Sequence, residues 1–309
     1  MKIVLVIVTY NRLEKLKRAL SCYDNQGIDN LSIVVVNNYS TDGTTDFLEE
    51  WKDSKSSVNK YVINLKSNQG GSGGFYIGEK FAMTLSPDWI YVADDDAYAK
   101  PNMIKTFIDY VSSNDVSKIA AICGTVYEMN NSISLEHRSF VKFKYGLKYT
   151  KEYVPENAYE KKCFELDAFS YVCTFMNAET IEKVGLCIPE FFIYFDDTEH
   201  SLRLKKEGKI ICVPAIGIYH DGGGAQSKAN DSIIIDWRKY YSLRNQIYTL
   251  LHYKPISALY EILYEGQHLL RHYGKIKACR KLIYAAIKDG VFGNLGKHHL
   301  YKPGFSIRK

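Results

Sequence analysis

Ile3-Val4-Leu5-Val6-Ile7-Val8 is an unbroken aliphatic run near the start of the chain, and the polar stretch Thr9-Tyr10-Asn11-Arg12 follows it directly. Such a run predicts a strand that is covered on both faces, as in a parallel sheet. Residues 12–23 then carry apolar side chains at helical spacing, and Asn11 stands where a helix cap is expected. A strand that runs into a helix is the repeating unit of a mostly parallel α/β sheet.

The alternation of strand and helix continues through the first hundred residues. We predict further strands at 31–36, 61–65 and 88–93, each followed by a polar or glycine-rich segment. In a parallel sheet such segments meet at the carboxyl edge, where ligands bind. The segments are Asn37-Asn38-Tyr39-Ser40-Thr41-Asp42-Gly43, Asn68-Gln69-Gly70-Gly71-Ser72-Gly73-Gly74 and Asp94-Asp95-Asp96.

Past Pro101 the predicted pattern is mixed. We expect helices at 102–112, 180–184 and 198–207, strands at 119–127, 164–176 and 210–213 with a run to 220, and an irregular stretch rich in Tyr and Lys up to 162. After the glycines 222–224 the chain is predicted to be helical to about residue 289. We therefore divide it into a sheet domain, residues 1–225, and a basic, mainly helical C-terminal region, residues 226–309.

The composition is that of a globular protein. The 309 residues are 46% hydrophobic and 24% charged, which excludes a disordered or fibrous chain. The 7 cysteines are scattered and form no CxxC pair, so we expect reduced thiols and neither a disulfide framework nor a zinc site. No apolar stretch approaches the roughly 20 residues of a spanning helix, and no targeting segment is expected, so the predicted location is the cytoplasm.

Charge is divided unevenly along the chain. Residues 226–309 carry 15 Lys and Arg against 5 Asp and Glu, whereas the preceding residues carry 25 against 30, within a net charge of +5. An acidic front suits a bound cation, and a basic tail suits an anionic surface. A solvated basic helical face is the alternative interpretation of the tail.

Asp94-Asp95-Asp96 is the strongest chemical signal in the sequence. In an extended segment alternate side chains point the same way, so Asp94 and Asp96 face one direction and Asp95 the other. Two converging carboxylates without a basic neighbour invite a divalent cation, and a diphosphate ligand would complete its coordination. A plain acidic turn is the alternative.

Asp196-Asp197-Thr198-Glu199 is the second acidic motif. The spacing of Asp196 and Glu199 fits a capping box at the start of a helix. That structural interpretation leaves Asp197 without a task, which makes it a candidate general base.

His220 ends an apolar run beside glycines, and its residue type allows either a metal ligand or a structural side chain. The glycines at 70–74 lack the GK[ST] of a P-loop and the acidic partner of a dinucleotide fold, so ATPase and dinucleotide functions are disfavoured. We expect these glycines to allow the close approach of a ligand.

Taken in order, these motifs resemble the family-2 glycosyltransferases with a GT-A fold, a Rossmann-like sheet with helices on both faces. The resemblance covers about residues 1 to 225. The second acidic motif, with Leu202-Arg203 soon after it, is most similar to that of bacterial galactofuranosyltransferases, and rhamnosyltransferases of the same family are close. The matching segments are Val8 to Arg12, Val36 to Thr44, Asn68 to Gly74, Asp94 to Asp96, Phe195 to Glu199, and His220.

The resemblance implies an inverting transfer from a nucleotide-diphosphate sugar. Asp96 and His220 would then hold Mn²⁺ or Mg²⁺, and Asp197 would take the proton of the acceptor. Thr9 and the Asn37-Asn38 loop would border the base and ribose, although Asn37 departs from the usual Asp of the family. The residues implied to contact substrates are Thr9, Tyr10, Arg12, Asn37, Asn38, Asn68, Gly73, Gly74, Asp94, Asp95, Asp196, Glu199 and Arg244, the last reaching the phosphates.

The chemistry is consistent with this assignment. A metal can neutralise a departing diphosphate without a proton donor, so one carboxylate base suffices. A glycosidase would instead need two carboxylates that flank the bond.

The predicted donor is UDP-galactofuranose, and the predicted acceptor is a glycan or lipid-linked glycan of a bacterial surface polysaccharide. The alternatives are a transferase that uses dTDP-rhamnose and a non-catalytic subunit that binds nucleotide sugars. A sugar nucleotidylyltransferase is disfavoured because its glycine-rich, Arg-containing N-terminal signature is missing.

The tail carries apolar residues at roughly helical spacing beside a basic cluster. This pattern predicts docking on the anionic inner face of the plasma membrane. A core-packing helical appendage and a homodimer contact are the alternatives, and no motif supports nucleic-acid binding. The apolar residues are Ile256, Leu259, Leu263, Leu270, Tyr273 and Ile276, and the basic residues are Arg271, Lys275, Lys277, Arg280 and Lys281.

Overall fold

One large mixed sheet organises the molecule. The computed structural model describes residues 1–222, 233–268, 271 and 276–308. The strands are β1 (Ile3–Thr9), β2 (Leu31–Asn37), β3 (Asn59–Asn64), β4 (Trp89–Asp94), β5 (Ala97–Ala99), β6 (Ile119–Glu128), β7 (Arg138–Lys144), β8 (Lys148–Tyr153), β9 (Phe164–Leu166), β10 (Ala168–Phe169), β11 (Thr174–Asn177), β12 (Lys209–His220), β13 (Ile233–Asp236) and β14 (Ser306–Arg308).

Helices cover both faces of this sheet and build the C-terminal region. The α-helices are α1 (Leu13–Asp24), α2 (Thr44–Asp53), α3 (Gly70–Thr84), α4 (Met103–Ser113), α5 (Ala178–Val184), α6 (Asp196–Glu207), α7 (Trp237–Tyr253), α8 (Pro255–His268) and α9 (Lys277–Phe292). Short 3₁₀ turns lie at Leu135–His137, Glu156–Glu160 and Pro189–Phe191.

The strand order is β3-β2-β1-β4-β11-β6-β12-β5, and β9 pairs with β12. Strands β3, β2, β1 and β4 run parallel, whereas β11 is antiparallel to both of its neighbours. Alternate residues of β1 enter two separate cores: Leu5 packs on the side of α1, and Val6 packs on the side of α3. The predicted mostly parallel α/β sheet with helices on both faces is confirmed.

The polar strand ends meet as the parallel arrangement predicts. Thr9 pairs in register with Asn37, and Val8 pairs with Asp94. Asn37 also lies opposite Asn64, the last residue of β3. The ends of four strands therefore share one edge of the sheet.

The cap of α1 differs from the prediction. The carboxylate of Asp42, in the loop after β2, accepts a hydrogen bond from the N–H of Leu13 at 3.0 Å. Asn11 instead accepts the N–H of Thr41 at 2.7 Å, so it ties two loops together and does not cap its own helix. A loop distant in sequence has replaced the local cap.

The glycine-rich segment is the first part of α3 and not a loop that surrounds a ligand. A Cβ atom on Gly74 would lie 2.5 Å from Cγ1 of Val8 on β1. Real Cβ atoms do not approach so closely, so glycine lets the helix lie directly on the sheet. Gly74, which was expected to contact the ligand, therefore packs against the sheet. Neither Gly74 nor Gly73 lines the cleft described below.

Two further stretches depart from the prediction. The segment before residue 162 was expected to be irregular, but β7 and β8 form an antiparallel hairpin that β10 extends. The chain was expected to be helical from the glycines at 222–224 to about residue 289, but β13 lies within that range and pairs with β14 near residue 307. The glycines at 223 and 224 lie outside the described residues.

The C-terminal helices have their own core and one exposed apolar face. Helix α7 packs on α8 and α9 around a cluster that includes Tyr241 and Leu282. On α8, Ile256, Leu259 and Leu263 are 57%, 56% and 64% exposed. Leu270, Tyr273 and Lys275 of the predicted amphipathic pattern lie outside the described residues. Among the helices that the structure describes, none has the length and apolar character of a membrane span.

Candidate active site

A cleft of about 710 Å³ opens along the carboxyl edge of the sheet. Its volume suits a ligand of nucleotide-sugar size. Asp94 and Asp95 line it from the end of β4, and Asp196 and Asp197 line it from the start of α6. The two acidic motifs therefore face one cavity, as a transfer between two bound substrates requires.

Asp94, Asp96 and His220 form a group that fits a cation. One ligand atom from each residue lies within 4.8 Å of the others. Nε2 of His220 is 3.1 Å from Oδ1 of Asp96 and 3.8 Å from Oδ2 of Asp94. Oδ1 of Asp96 is buried and lies against the imidazole of His220, so a cation could bind between these two side chains. Two carboxylates and an imidazole suit Mn²⁺.

The acidic motif has basic neighbours, contrary to the expectation from its sequence. Nη1 of Arg12 lies 2.8 Å from Oδ2 of Asp96 and 3.2 Å from Oδ1 of Asp95. Nζ of Lys15 lies 3.4 Å from the same oxygen of Asp96. These cations come from the start of α1, about 80 residues away in the chain. Arg12 and Lys15 both contact Oδ2 of Asp96, and Oδ1 of the same carboxylate faces His220.

The ion pairs shift the acidity of this group. Burial alone would raise the pKa of Asp96, but the hydrogen-bonding and charge of His220, with Arg12 and Lys15, lower it to about 2. Burial opposes protonation of His220, yet Asp94 and Asp96 raise its pKa to about 10. A metal ligand must be the neutral imidazole, so cation binding here displaces a proton.

Asp95 is not one of the residues of the cation group, and it lies with Asp96 in the turn that follows β4. Its Oδ2 accepts a hydrogen bond from the hydroxyl of Thr9 at 2.8 Å. Burial raises the pKa of Asp95 to about 6 against the opposing charge of Arg12. Thr9 is itself buried, so it supports the acidic loop and does not line the cleft.

Asp197 presents one carboxylate oxygen to the cleft. Its Oδ1 accepts hydrogen bonds from the N–H of Thr198 at 2.5 Å and from the Thr198 hydroxyl at 3.1 Å. None of the hydrogen bonds within the described ranges uses Oδ2. The carboxylate is thus fixed through one oxygen, and the other is open to a substrate hydroxyl.

The predicted capping box does not form. The N-cap of α6 is Phe195, which makes no side-chain cap, and Asp196 is already helical. Glu199 turns away and binds Arg203, with Nε 2.8 Å from Oε1 and Nη2 2.9 Å from Oε2. Burial and the charge of Asp197 raise the pKa of Asp196 to about 7.

Half of the predicted donor and acceptor contacts line the cleft. Asn37 is buried, and its amide nitrogen donates hydrogen bonds to the side chains of Thr45 and Asn64. The side chain of Asn38 bonds the backbone of Gln69 and Gly70. Predicted residues that do not line the cleft are Thr9, Asn37, Gly73, Gly74, Asp96, Glu199, His220 and Arg244. Predicted residues that line it are Tyr10, Arg12, Asn38, Asn68, Asp94, Asp95, Asp196 and Asp197.

Arg244 lies in the interior and not at the phosphates. It is 0% exposed, and its guanidinium donates to the carbonyls of Glu190, Phe191 and Gly296. Arg238, at the start of the same helix, lines the cleft instead and pairs with Asp236 at 2.7 Å. Helical spacing places the two arginines on different faces of α7.

Several cleft residues were missed by the sequence analysis. Lys151 comes from the β7–β8 hairpin, where the sequence showed no regular pattern, and donates to the hydroxyl of Thr198 at 3.3 Å. Tyr171 follows β10, and Trp237 begins α7. For Trp237 the sequence did hold a signal: Asp236 is a helix-capping residue type, and its carboxylate caps α7, which begins at Trp237.

A buried carboxylate lies behind this site on α3. Oε2 of Glu79 accepts the N–H of Cys187 at 3.1 Å. Nδ1 of His200 is 3.9 Å from Oε1, and it pairs with the hydroxyl of Tyr171 at 2.6 Å. Burial raises the pKa of Glu79 from 4.5 to about 7.

We expect this burial to make stability fall with rising pH. Between about pH 4.5 and pH 7 the unfolded chain has lost the Glu79 proton while the folded protein keeps it, so the free energy of unfolding decreases by about 3 kcal/mol. Glu79→Gln should lack this decrease. Urea unfolding of both proteins at about pH 5 and about pH 8 measures it, and the difference between them removes the parallel contribution of Asp196. Equal pH dependence in the two proteins would contradict the assignment.

The chain matches glycosyl transferase family 2 over residues 4–176, more than half of its length, and belongs to that family. It is a glycosyltransferase with the GT-A fold, and the Asp94/Asp96 pair is consistent with metal-dependent transfer. The resemblance drawn from the sequence motifs is confirmed at this level.

Particular relatives differ in how much of the chain they match. The chain is 27% identical to dTDP-rhamnosyl transferase RfbF of Shigella flexneri over 94% of this chain and 96% of that protein. It is 22% identical to galactofuranosyltransferase GlfT1 of Mycolicibacterium smegmatis over 66% of this chain and 65% of that protein. The nearly full-length match is thus to a rhamnosyl transferase.

Solved structures share the fold. S. aureus TarS, residues 1–349, has a TM-score of 0.60 at 14% identity and covers 94% of this chain and 81% of its own. GalNAc-T7 with UDP, GalNAc and Mn²⁺ has a TM-score of 0.60 at 15% identity and covers 94% of this chain and 56% of its own.

Proposed function

We propose that this glycosyltransferase moves rhamnose, with inversion, from dTDP-rhamnose onto a glycan acceptor in bacterial surface polysaccharide synthesis. The observation that carries the choice of sugar is the likeness to a dTDP-rhamnosyl transferase over nearly the whole of both chains. It reverses the order of the sequence analysis, which placed galactofuranose first.

The chain's own residues supply three functions. Asp94, Asp96 and His220 would hold Mn²⁺ or Mg²⁺, which when bound neutralises charge on the departing diphosphate. Asp197, in the same cleft as Asp94, accepts the proton of the acceptor hydroxyl through its open oxygen. The hydroxyl oxygen bonds to the anomeric carbon as the bond to the diphosphate breaks, which inverts that carbon. The cleft supplies proximity by binding both substrates.

Galactofuranose transfer from UDP-galactofuranose remains the second candidate. The support is the match to a galactofuranosyltransferase over two thirds of the chain, together with the form of the Asp196-Asp197-Thr198-Glu199 motif.

Nucleotide binding separates the two candidates. Thermal unfolding is followed with dTDP, UDP and GDP, each with and without Mn²⁺, because a ligand that binds the folded state raises its midpoint. Stabilisation by dTDP with Mn²⁺, followed by transfer from dTDP-rhamnose, supports the proposal. Stabilisation by UDP alone, with turnover of UDP-galactofuranose, would favour the second candidate.

Asp96→Ala should weaken metal-dependent donor binding. The change removes the buried oxygen that faces His220, and it takes from Arg12 and Lys15 one of the two acidic partners that each of them has. We expect the Kd of nucleotide with Mn²⁺ to rise roughly 10- to 100-fold, the loss typical of a disturbed metal site. Calorimetric titration measures it. Asp221→Asn is the matched control, since Asp221 also pairs with Lys15 but lies outside the cation group, and an equal loss there would contradict the role of Asp96.

We also propose that the exposed face of α8 meets an anionic membrane surface. Its apolar residues Ile256, Leu259 and Leu263 are more than half exposed, and α9, further along the chain, carries exposed Arg280 and Lys281. Co-sedimentation with vesicles of phosphatidylglycerol at low salt tests this, with Leu259→Glu as the variant that should release the protein. A concentration-dependent dimer without vesicle binding would support the homodimer alternative.

A further inference from the structure

The segment that leads into Asp196 and Asp197 has an unusual backbone. Phe192, Tyr194 and Phe195 have φ angles of 67°, 65° and 70°. Bulky L-residues rarely adopt this left-handed region, and such strain persists only where the surrounding structure enforces it. Something must hold residues 190–195 in this form.

A single buried amide from the C-terminal region contacts three of the six residues of this segment. Nδ2 of Asn245 donates to the carbonyls of Phe191 at 3.1 Å, Ile193 at 3.0 Å and Tyr194 at 2.8 Å. Asn245 is 0% exposed, so these bonds are shielded from water. Its Oδ1 accepts from Nε of Arg244 at 2.8 Å, which fixes the orientation of the amide.

Arg244 extends the same contact to the start of the segment. Its Nη2 donates to the carbonyls of Glu190 at 3.1 Å and Phe191 at 3.0 Å, and its Nη1 donates to the carbonyl of Gly296 at 2.6 Å. No carboxylate pairs with it in the ranges that the structure describes. The guanidinium also lies over the rings of Tyr240 and Tyr241, 5.4 and 4.9 Å from their centroids. Burying a cation in this way is costly, and its clearest effect here is to fix the path of that backbone.

Helix α3 holds the segment from the opposite side. The N–H of Ser72 donates to the carbonyl of Phe192 at 3.3 Å. The ring of Phe192 packs against Tyr241, one turn before Asn245 on α7, with 5.0 Å between ring centroids. The strained segment is therefore clamped between the sheet domain and α7.

We propose that Arg244 and Asn245 are positioning residues, which hold residues 190–195 in their strained form and thereby place Asp197 in the cleft. The inference rests on the proposed role of Asp197 as the base. It makes the C-terminal region part of the catalytic apparatus and gives Arg244 a task that does not involve the donor phosphates.

The test separates positioning from general stability. Asn245→Ala removes the three donor contacts, and Asn245→Asp turns an oxygen toward the same carbonyls, so the second should be worse. A misplaced group typically costs about 100-fold in rate. We expect kcat to fall by about that factor for Asn245→Ala, while the donor KM and the Kd of nucleotide with Mn²⁺ change less than about threefold.

Leu250→Ala is the matched control. Leu250 is buried on the same helix, and an aliphatic side chain makes no hydrogen bond to residues 190–195. We therefore expect Leu250→Ala to lower the unfolding midpoint without moving Asp197. Wild-type kcat in a destabilised Leu250→Ala protein supports the proposal. A fall in kcat as large as that of Asn245→Ala, or a wild-type kcat in a folded Asn245→Ala protein, would overturn it.

Two further variants, Arg244→Lys and Asp197→Asn, are measured beside the Asn245 variants. Arg244→Lys retains the charge but loses the forked donors, so it should show an intermediate kcat even if the Asn245 variants do not fold. Asp197→Asn is assayed alongside. If Asp197→Asn remains active, the base assignment fails. If it is inactive while Asn245→Ala and Arg244→Lys keep wild-type kcat, only the positioning role fails.

Discussion

Asp197→Asn should reduce sugar transfer by about a thousandfold, within the range that a lost general base costs. The amide cannot accept the acceptor proton, yet it keeps the shape of the carboxylate and the hydrogen bond that Oδ1 receives from the N–H of Thr198. Binding of nucleotide with Mn²⁺ should persist, because Asp94, Asp96 and His220 are untouched. Steady-state transfer assays and calorimetric titration on the same preparation measure both quantities.

Asp196→Asn provides the comparison. Asp196 lies beside Asp197 on the same helix, but its pKa of about 7 leaves it about half protonated near neutral pH. Replacing it with a neutral amide should therefore cost at most about tenfold, since only part of a charge is removed. A larger loss in Asp196→Asn than in Asp197→Asn would move the base to position 196, and substantial turnover in Asp197→Asn would exclude position 197.

The sequence predicted those parts of the site that depend on local rules. Alternation along an extended segment predicts Asp94 and Asp96 on one side, and the structure does bring both to His220 while Asp95 bonds Thr9. The segment is a turn after β4, however, and not a continued strand. Parallel strands end at one edge, which is why Asn37 and Asp94 lie on either side of Thr9 and Val8. Such relations depend on spacing alone.

The remaining parts depend on contacts between distant segments. No local pattern shows that Arg12 and Lys15 would reach Asp96, or that Asp42 would cap α1. Arg244 was expected at the phosphates because the family resemblance implied that role. Its burial against carbonyls follows from how α7 packs on residues 190–195, which the sequence does not encode at short range.

Glycine-rich segments show the same limit. The run at 70–74 was expected to admit a ligand, and two of its members, Gly70 and Gly71, do line the cleft. The strongest constraint, however, comes from the protein itself: a Cβ on Gly70 would lie 2.0 Å from the carbonyl oxygen of Phe192. A glycine that makes room for a neighbouring backbone cannot be told from the sequence apart from one that makes room for a ligand.

Gly70→Ala should therefore destabilise the protein by about 3 kcal/mol or more. Gly70 has a φ of 76°, where an L-residue costs about 1–2 kcal/mol, and the new methyl group must also displace a backbone carbonyl, which cannot rotate away as a side chain can. The displaced carbonyl belongs to the strained segment before Asp197, so kcat should fall as well.

Gly71→Ala is the matched control for stability. A Cβ on Gly71 meets nothing within 4 Å, and its backbone is helical with no positive φ. Alanine there should leave stability unchanged or raise it by about 0.5–1 kcal/mol, because it favours the helix and restricts the unfolded chain. Urea unfolding of the two variants measures the contrast. Equal stability of Gly70→Ala and Gly71→Ala would mean that the backbone carbonyl of Phe192 can move aside at no cost. In that case α3 would not hold the segment before Asp197.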